Sequence, residues 1–121
     1  MKSCLIIFST TDGHTKKICE KIFSVLNDSH EIKILNLSGA YFEDLSCYNI
    51  IIVGASIRYG KHKKELYEFI KRNRRTLEKT ETCFFSVNAV ARKSEKNSPS
   101  TNPYMKKFLK QSGWAPNHTE V

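Results

Sequence analysis

The segment Leu5 Ile6 Ile7 Phe8 Ser9 Thr10 Thr11 Asp12 Gly13 His14 Thr15 decides how the rest of the chain is read. An apolar, β-branched run stops at small hydroxyl residues and a glycine. Beyond it Ile18, Cys19, Ile22, Phe23, Val25 and Leu26 fall at helical spacing. The pattern predicts a strand, a tight loop and a helix start. The first amides of a helix lack intrahelical partners and together carry about half a positive charge, so an anion fits against them. Thr10, Thr11 and Thr15 add hydroxyl donors, and Gly13 lets the backbone close around a phosphate. The loop has neither the lysine of a nucleoside-triphosphate loop nor the glycine spacing of a dinucleotide site, which leaves a monophosphate. The same residues would also make an ordinary strand-to-helix turn with an Asp or Thr cap.

Working outward, residues 2–9 form the first strand, apolar almost throughout and so buried on both faces, as in a parallel sheet. Residues 15–26 are the first helix. Residues 31–37 alternate apolar and polar, the pattern of a strand near an edge. A loop with a short helix spans 38–47, and 48–54 is the most apolar strand and therefore central. A helix over 64–77 carries Leu66, Phe69 and Ile70 inward, and 82–88 is the fourth strand. Residues 89–102 form a polar loop, and 104–111 form a helix with Tyr104, Phe108 and Leu109 inward and Gly113 as its C-cap. The alternation gives one α/β domain over residues 1–121, an open parallel sheet with helices on both faces.

The chain is 121 residues long, 40% hydrophobic, with a formal charge of +8. That charge favours an anionic partner. The lysines and arginines are spread in short groups, such as 61–64 and 71–75, that read as solvated helix faces. Cys4, Cys19, Cys47 and Cys83 are far apart and form no C-x-x-C pair, which argues against a metal site or disulfide framework and for buried thiols in a cytoplasmic protein. No run reaches the ~20 apolar residues of a membrane span. The aromatics fall at core-periodic positions, which argues against nucleic-acid binding.

Ile6 Ile7 Phe8 Ser9 Thr10 with Gly13 and Thr15 resemble the flavodoxin signature, whose family binds FMN by its phosphate at that loop. The resemblance implies strand order 2-1-3-4-5, with the ligand at the carboxyl ends of strands 1, 3 and 4. Asp12 stands where typical flavodoxins have a threonine, and its carboxylate must turn away from a phosphate or cap the helix. On this reading the cofactor-binding residues are Ser9, Thr10, Thr11, Asp12, Gly13, His14 and Thr15; Ser56, Ile57, Arg58, Tyr59 and Gly60; and Ser86, Val87, Asn88 and Ala89. After Trp114 only Ala Pro Asn His Thr Glu Val remains. The fifth strand and last helix are therefore expected to be absent. That would leave residues 82–88 as an open edge and uncover the sheet near Leu5, Ile7, Ile51 and Val53, so the 121-residue chain is expected to fold poorly.

Taken together, the three loops, with Val90 Ala91 Arg92 Lys93, Thr101 Asn102, Lys107 Phe108 Leu109 and Trp114, look like the flavodoxin-like, menaquinone-dependent protoporphyrinogen oxidases of the bacterial HemG family. That family also has an aspartate at the place of Asp12. The resemblance implies FMN, protoporphyrinogen IX as electron donor, and a membrane quinone, menaquinone or ubiquinone, as acceptor. It also implies a peripheral position at the inner face of the cell membrane. Arg58, Lys61, Lys63, Arg92 and Lys93 are the candidate cations for the porphyrin propionates and the bilayer. His62 could accept a proton near neutral pH. The alternatives are an FMN-binding electron carrier, which the +8 charge disfavours, and an inactive truncated remnant.

Overall fold

A computed structural model describes residues 2–9, 14–41, 43–56, 64–87 and 103–120. The elements are β1 (Lys2–Ser9), α1 (His14–Leu26), β2 (His30–Asn36), α2 (Leu37–Ala40), a 3-10 turn (Leu45–Cys47), β3 (Ile50–Ser56), α3 (Lys64–Arg72), α4 (Arg74–Lys79), β4 (Glu81–Val87), α5 (Pro103–Ser112) and β5 (His118–Glu120). Every strand pair is parallel, in the order β2-β1-β3-β4-β5. The alternating strand lies at one edge and the most apolar strand at the centre, as their patterns predict.

Successive side chains of a strand point to opposite faces. Leu5, Ile7, Ile51, Val53 and Phe84 therefore share one face, where α2 to α5 cover them. Leu66, Phe69 and Ile70 of α3, Leu77 of α4, and Met105 and Phe108 of α5 complete this core. Phe84 and Phe108 stack with centroids 4.4 Å apart, and Trp114 meets Phe84 edge-on at 5.6 Å. On the other face Cys4, Ile6, Ile52 and Phe85 pack with α1, which contributes Cys19 and, half-buried, Ile22 and Leu26. Ile18, Phe23 and Val25 of α1 are exposed. Burial raises the thiol pKa of Cys4 to about 11 and of Cys19 to about 12. Cys47, expected to be buried, is exposed.

Three expectations are corrected. The fifth strand is present: His118, Thr119 and Glu120 pair with Cys83, Phe84 and Phe85. Its polar side chains give no apolar signal because an edge strand is held by backbone hydrogen bonds. The side-chain oxygen of Asn117 sets the register by accepting the Thr82 N–H at 2.8 Å. The face at Leu5, Ile7, Ile51 and Val53 is fully covered, because four of the five described α-helices lie on it. The single helix expected over 64–77 is broken at Asn73, whose side-chain amide donates to the Phe69 carbonyl at 3.0 Å. Gly113 does cap α5, with φ 67 and its N–H on the Leu109 carbonyl at 3.1 Å; Arg74 Nη2 donates to the Gly113 carbonyl at 2.8 Å and ties α4 to this turn.

Candidate functional site

Because the strands are parallel, the carboxyl ends of β1, β3 and β4 lie at one end of the sheet. The register sets Ser9 beside Ala55, Ala55 beside Ser86, and Ser56 beside Val87. Ser9, Ala55 and Ser86, from three adjacent strands, thus form a row of small buried side chains. The row before it is Phe8, Gly54 and Phe85. α1 begins at His14, five residues after Ser9, so its amino-terminal turn follows directly on the end of β1; the first amides of a helix have no intrahelical partner.

The structure thus brings together Ser9, the α1 turn holding His14 and Thr15, Ser56, Ser86 and Val87. Thr10, Thr11, Asp12, Gly13, Ile57, Arg58, Tyr59, Gly60, Asn88 and Ala89 lie outside the described residues, as do Lys61, His62, Lys63, Arg92 and Lys93. The chain leaves the described strands towards these segments from the same end of the sheet. Small side chains at converging strand ends, with a helix amino terminus behind them, suit a flat ligand carrying a phosphate.

At the amino end of the sheet the Tyr48 hydroxyl donates to Glu43 at 2.5 Å, and Lys33 reaches the same carboxylate at 3.1 Å. The Tyr48 bond, then Lys33, holds the Glu43 carboxyl below its usual range. Burial and then Glu43 push Tyr48 up to about 12. A cleft of about 470 Å³ between Tyr48, Asn49, Arg75, Thr76, Lys79 and Glu81 also lies at this end. These groups anchor the segment that leads into β3, at the opposite end from the strand ends just described.

The charge is distributed unevenly, in a way the sequence reading did not separate from ordinary solvated helices. α3 exposes Lys64, Lys71 and Arg72, α4 exposes Arg74, Arg75 and Lys79, and α5 exposes Lys106, Lys107 and Lys110. The carboxylates of these helices are Glu65, Glu68 and Glu78. Nine cations against three anions leave this one layer with six of the chain's eight net positive charges. None of the described helices is long and apolar enough to cross a membrane.

The strand order, with helices on both faces of the sheet, defines a doubly wound α/β domain, a class in which ligands generally bind at the carboxyl ends of the strands. The chain belongs to the flavodoxin domain family, which matches residues 5–121. It is 39% identical over 115 residues to a protoporphyrinogen IX dehydrogenase [quinone] of Leishmania major, covering 93% of this chain and 50% of that protein. It is 38% identical over 118 residues to the protein of the same name from Escherichia coli strain K12, covering 97% of this chain and 65% of that one. The chain thus spans between half and two thirds of the length of these relatives. Its fold superimposes on a Lactobacillus acidophilus flavoprotein solved in complex with FMN, with TM-score 0.66 and 19% identity, over 98% of this chain and 92% of that one.

Proposed function

We propose that this chain is the FMN-holding part of a protoporphyrinogen IX dehydrogenase that uses a quinone as electron acceptor. The observation that carries the reading is the 38–39% identity, over nearly the whole chain, to two proteins of that name. The site is consistent with it. The α1 amino terminus behind β1 can hold a phosphate, with Thr10, Thr11 and Thr15 adding donors. The small side chains of Ser9, Ala55 and Ser86 suit a flat ring set against the strand ends, and the segments Ser56 to Gly60 and Ser86 to Ala89 would hold its edges. FMN bound there supplies a two-electron acceptor. The chain's own part is to bind and orient. Arg58, Lys61, Lys63, Arg92 and Lys93 are assigned to the two propionates of the porphyrinogen. On this reading the protein works in the cytoplasm at the inner face of the membrane, where its quinone resides.

Fluorescence titration with FMN and riboflavin tests the cofactor assignment. Hydrogen bonds to a charged group are worth about 1.5 to 3 kcal/mol each, so losing two costs about a hundredfold or more in affinity. Equal affinities would show that the loop does not grip phosphate. Anaerobic mixing of the FMN-loaded protein with protoporphyrinogen IX should bleach the flavin absorbance, whereas NADPH should not. Bound FMN that the porphyrinogen leaves oxidised would point to an electron carrier instead.

A further inference from the structure

We propose that the exposed face of the α3–α4–α5 layer is a docking surface for an anionic lipid bilayer, made of other residues than Arg58, Lys61, Lys63, Arg92 and Lys93. The layer holds the six-charge excess described above, whereas α1, on the other side of the sheet, has Lys16, Lys17 and Lys21 against Glu20. Within the layer only two ion pairs form among the described residues, Lys64 with Glu68 at 3.7 Å and Arg74 with Glu78 at 3.1 Å. Lys71, Arg75 and Lys79, and all three lysines of α5, have no carboxylate within 4.0 Å among the described residues. Arg72 sits over the Tyr41 ring at 5.0 Å.

The chemistry favours a continuous anionic plane. The cations without a carboxylate partner among the described residues are shared by three helices, Lys71 on α3, Arg75 and Lys79 on α4, and Lys106, Lys107 and Lys110 on α5, as an extended counter-surface requires and a single bound phosphate does not. The described aromatics of these helices face inward: Phe69 and Phe108 are fully buried, and Tyr67 packs on Phe108 at 5.1 Å. None of those rings is available to stack on a base, which disfavours single-stranded nucleic acid. A bilayer laid against the layer lies alongside the sheet, so the carboxyl ends of β1, β3 and β4 come to the rim of the contact. There a lipid-dissolved acceptor could reach them, and this part of the inference rests on the quinone reading above.

Co-sedimentation with vesicles tests the surface. The protein should bind vesicles of phosphatidylcholine with about one third phosphatidylglycerol, bind pure phosphatidylcholine far less, and come off in about 0.5 M salt. Each basic residue near an anionic surface contributes about a fivefold gain in partitioning. The triple variant Lys71→Gln, Arg75→Gln, Lys107→Gln should therefore lose about a hundredfold. The triple variant Lys2→Gln, Lys17→Gln, Lys21→Gln makes the same change in net charge elsewhere and should lose much less. If the first triple does not fold, Lys106→Gln, Lys107→Gln, Lys110→Gln takes its place with the same expected loss. Equal losses for layer and control, equal binding to neutral vesicles, or binding to duplex DNA without binding to vesicles would each overturn the proposal. FMN and porphyrinogen assays on the same preparations separate the two readings: vesicle binding without flavin binding leaves the surface standing and removes the assigned activity.

Discussion

The far edge of the Phe85 ring occupies the position where a β-carbon on Gly54 would stand. The two residues are paired across β3 and β4. A large aromatic thus closes over the central strand one residue before the chain reaches Ala55 and the ligand end of the sheet, and only a residue without a side chain allows it.

Gly54→Ala should therefore destabilise the protein by about 1 to 3 kcal/mol, because the ring must leave its place in a packed core. Phe85→Leu in the same chain should recover part of that loss. Urea unfolding of the single and double variants measures it. An unchanged midpoint for Gly54→Ala would mean that the ring moves aside freely.

Asn117→Ala should cost about 1 to 3 kcal/mol, since it leaves the amide of Thr82 without its acceptor. Thr82 is 1% exposed, so water cannot readily replace the bond. Amide hydrogen exchange at Thr82 should speed up in the variant. Unaltered exchange would show that β5 is held in register by other means.

Given the FMN reading, Thr15→Val should weaken FMN binding about tenfold by removing a hydroxyl donor at the helix start. Arg58→Ala should weaken it less, because a solvent-screened cation contributes little. Reversed effects in fluorescence titrations would put the phosphate elsewhere.

The buried thiols should make stability depend on alkaline pH. Cys4 and Cys19 have folded pKa values raised from 9.0 to about 11 and about 12. A raised value means that the folded state holds the proton more tightly than the unfolded one. Their contribution is complete below pH 9 and is lost as the pH rises through 11 and 12. Tyr48, raised from 10.0 to about 12, acts in the same direction. Stability should thus fall steeply from pH 9 upward, and Cys19→Ala should flatten the curve. Near neutral pH iodoacetamide should label exposed Cys47 in the native protein and leave Cys4 and Cys19 unlabelled.

Glu43 works at the acid limit. Its folded pKa is lowered from 4.5, so its contribution is present above that value and is lost as the pH falls through the lowered one. Tyr48→Phe removes the principal cause and should make acid unfolding less steep there. An identical acid limb in Tyr48→Phe would exclude this pair as its origin.

The strands in the interior of the sheet could be read because burial on both faces leaves no polar residue to obscure them, as in Leu5 to Ile7 and Ile51 to Val53. The helix start behind β1 could be read because it changes the periodicity of the sequence. β5 could not, since His118, Thr119 and Glu120 give no apolar signal and the residue that fixes them, Asn117, bonds to a partner 35 positions away. The break at Asn73 was hidden because Phe69, Ile70 and Leu77 keep helical spacing across it. At the site, residue types suggested which loops converge, whereas the register of Ser9, Ala55 and Ser86 comes from strand pairing over long sequence separations. The grouping of charge on one layer needs the three-dimensional placement of three helices that the sequence sets far apart.

The parallel arrangement also determines how the protein comes into being. No strand here pairs with its partner through a tight turn. β1 must wait for β3, and β4, once docked, shows a bare backbone edge until Asn117 and residues 118–120 have been synthesised. While residues 88–117 are being added, Cys83, Phe84 and Phe85 offer that edge to any neighbouring nascent chain. Losses to aggregation during expression should therefore follow the length of this interval and the temperature at which it passes, rather than the stability of the finished fold.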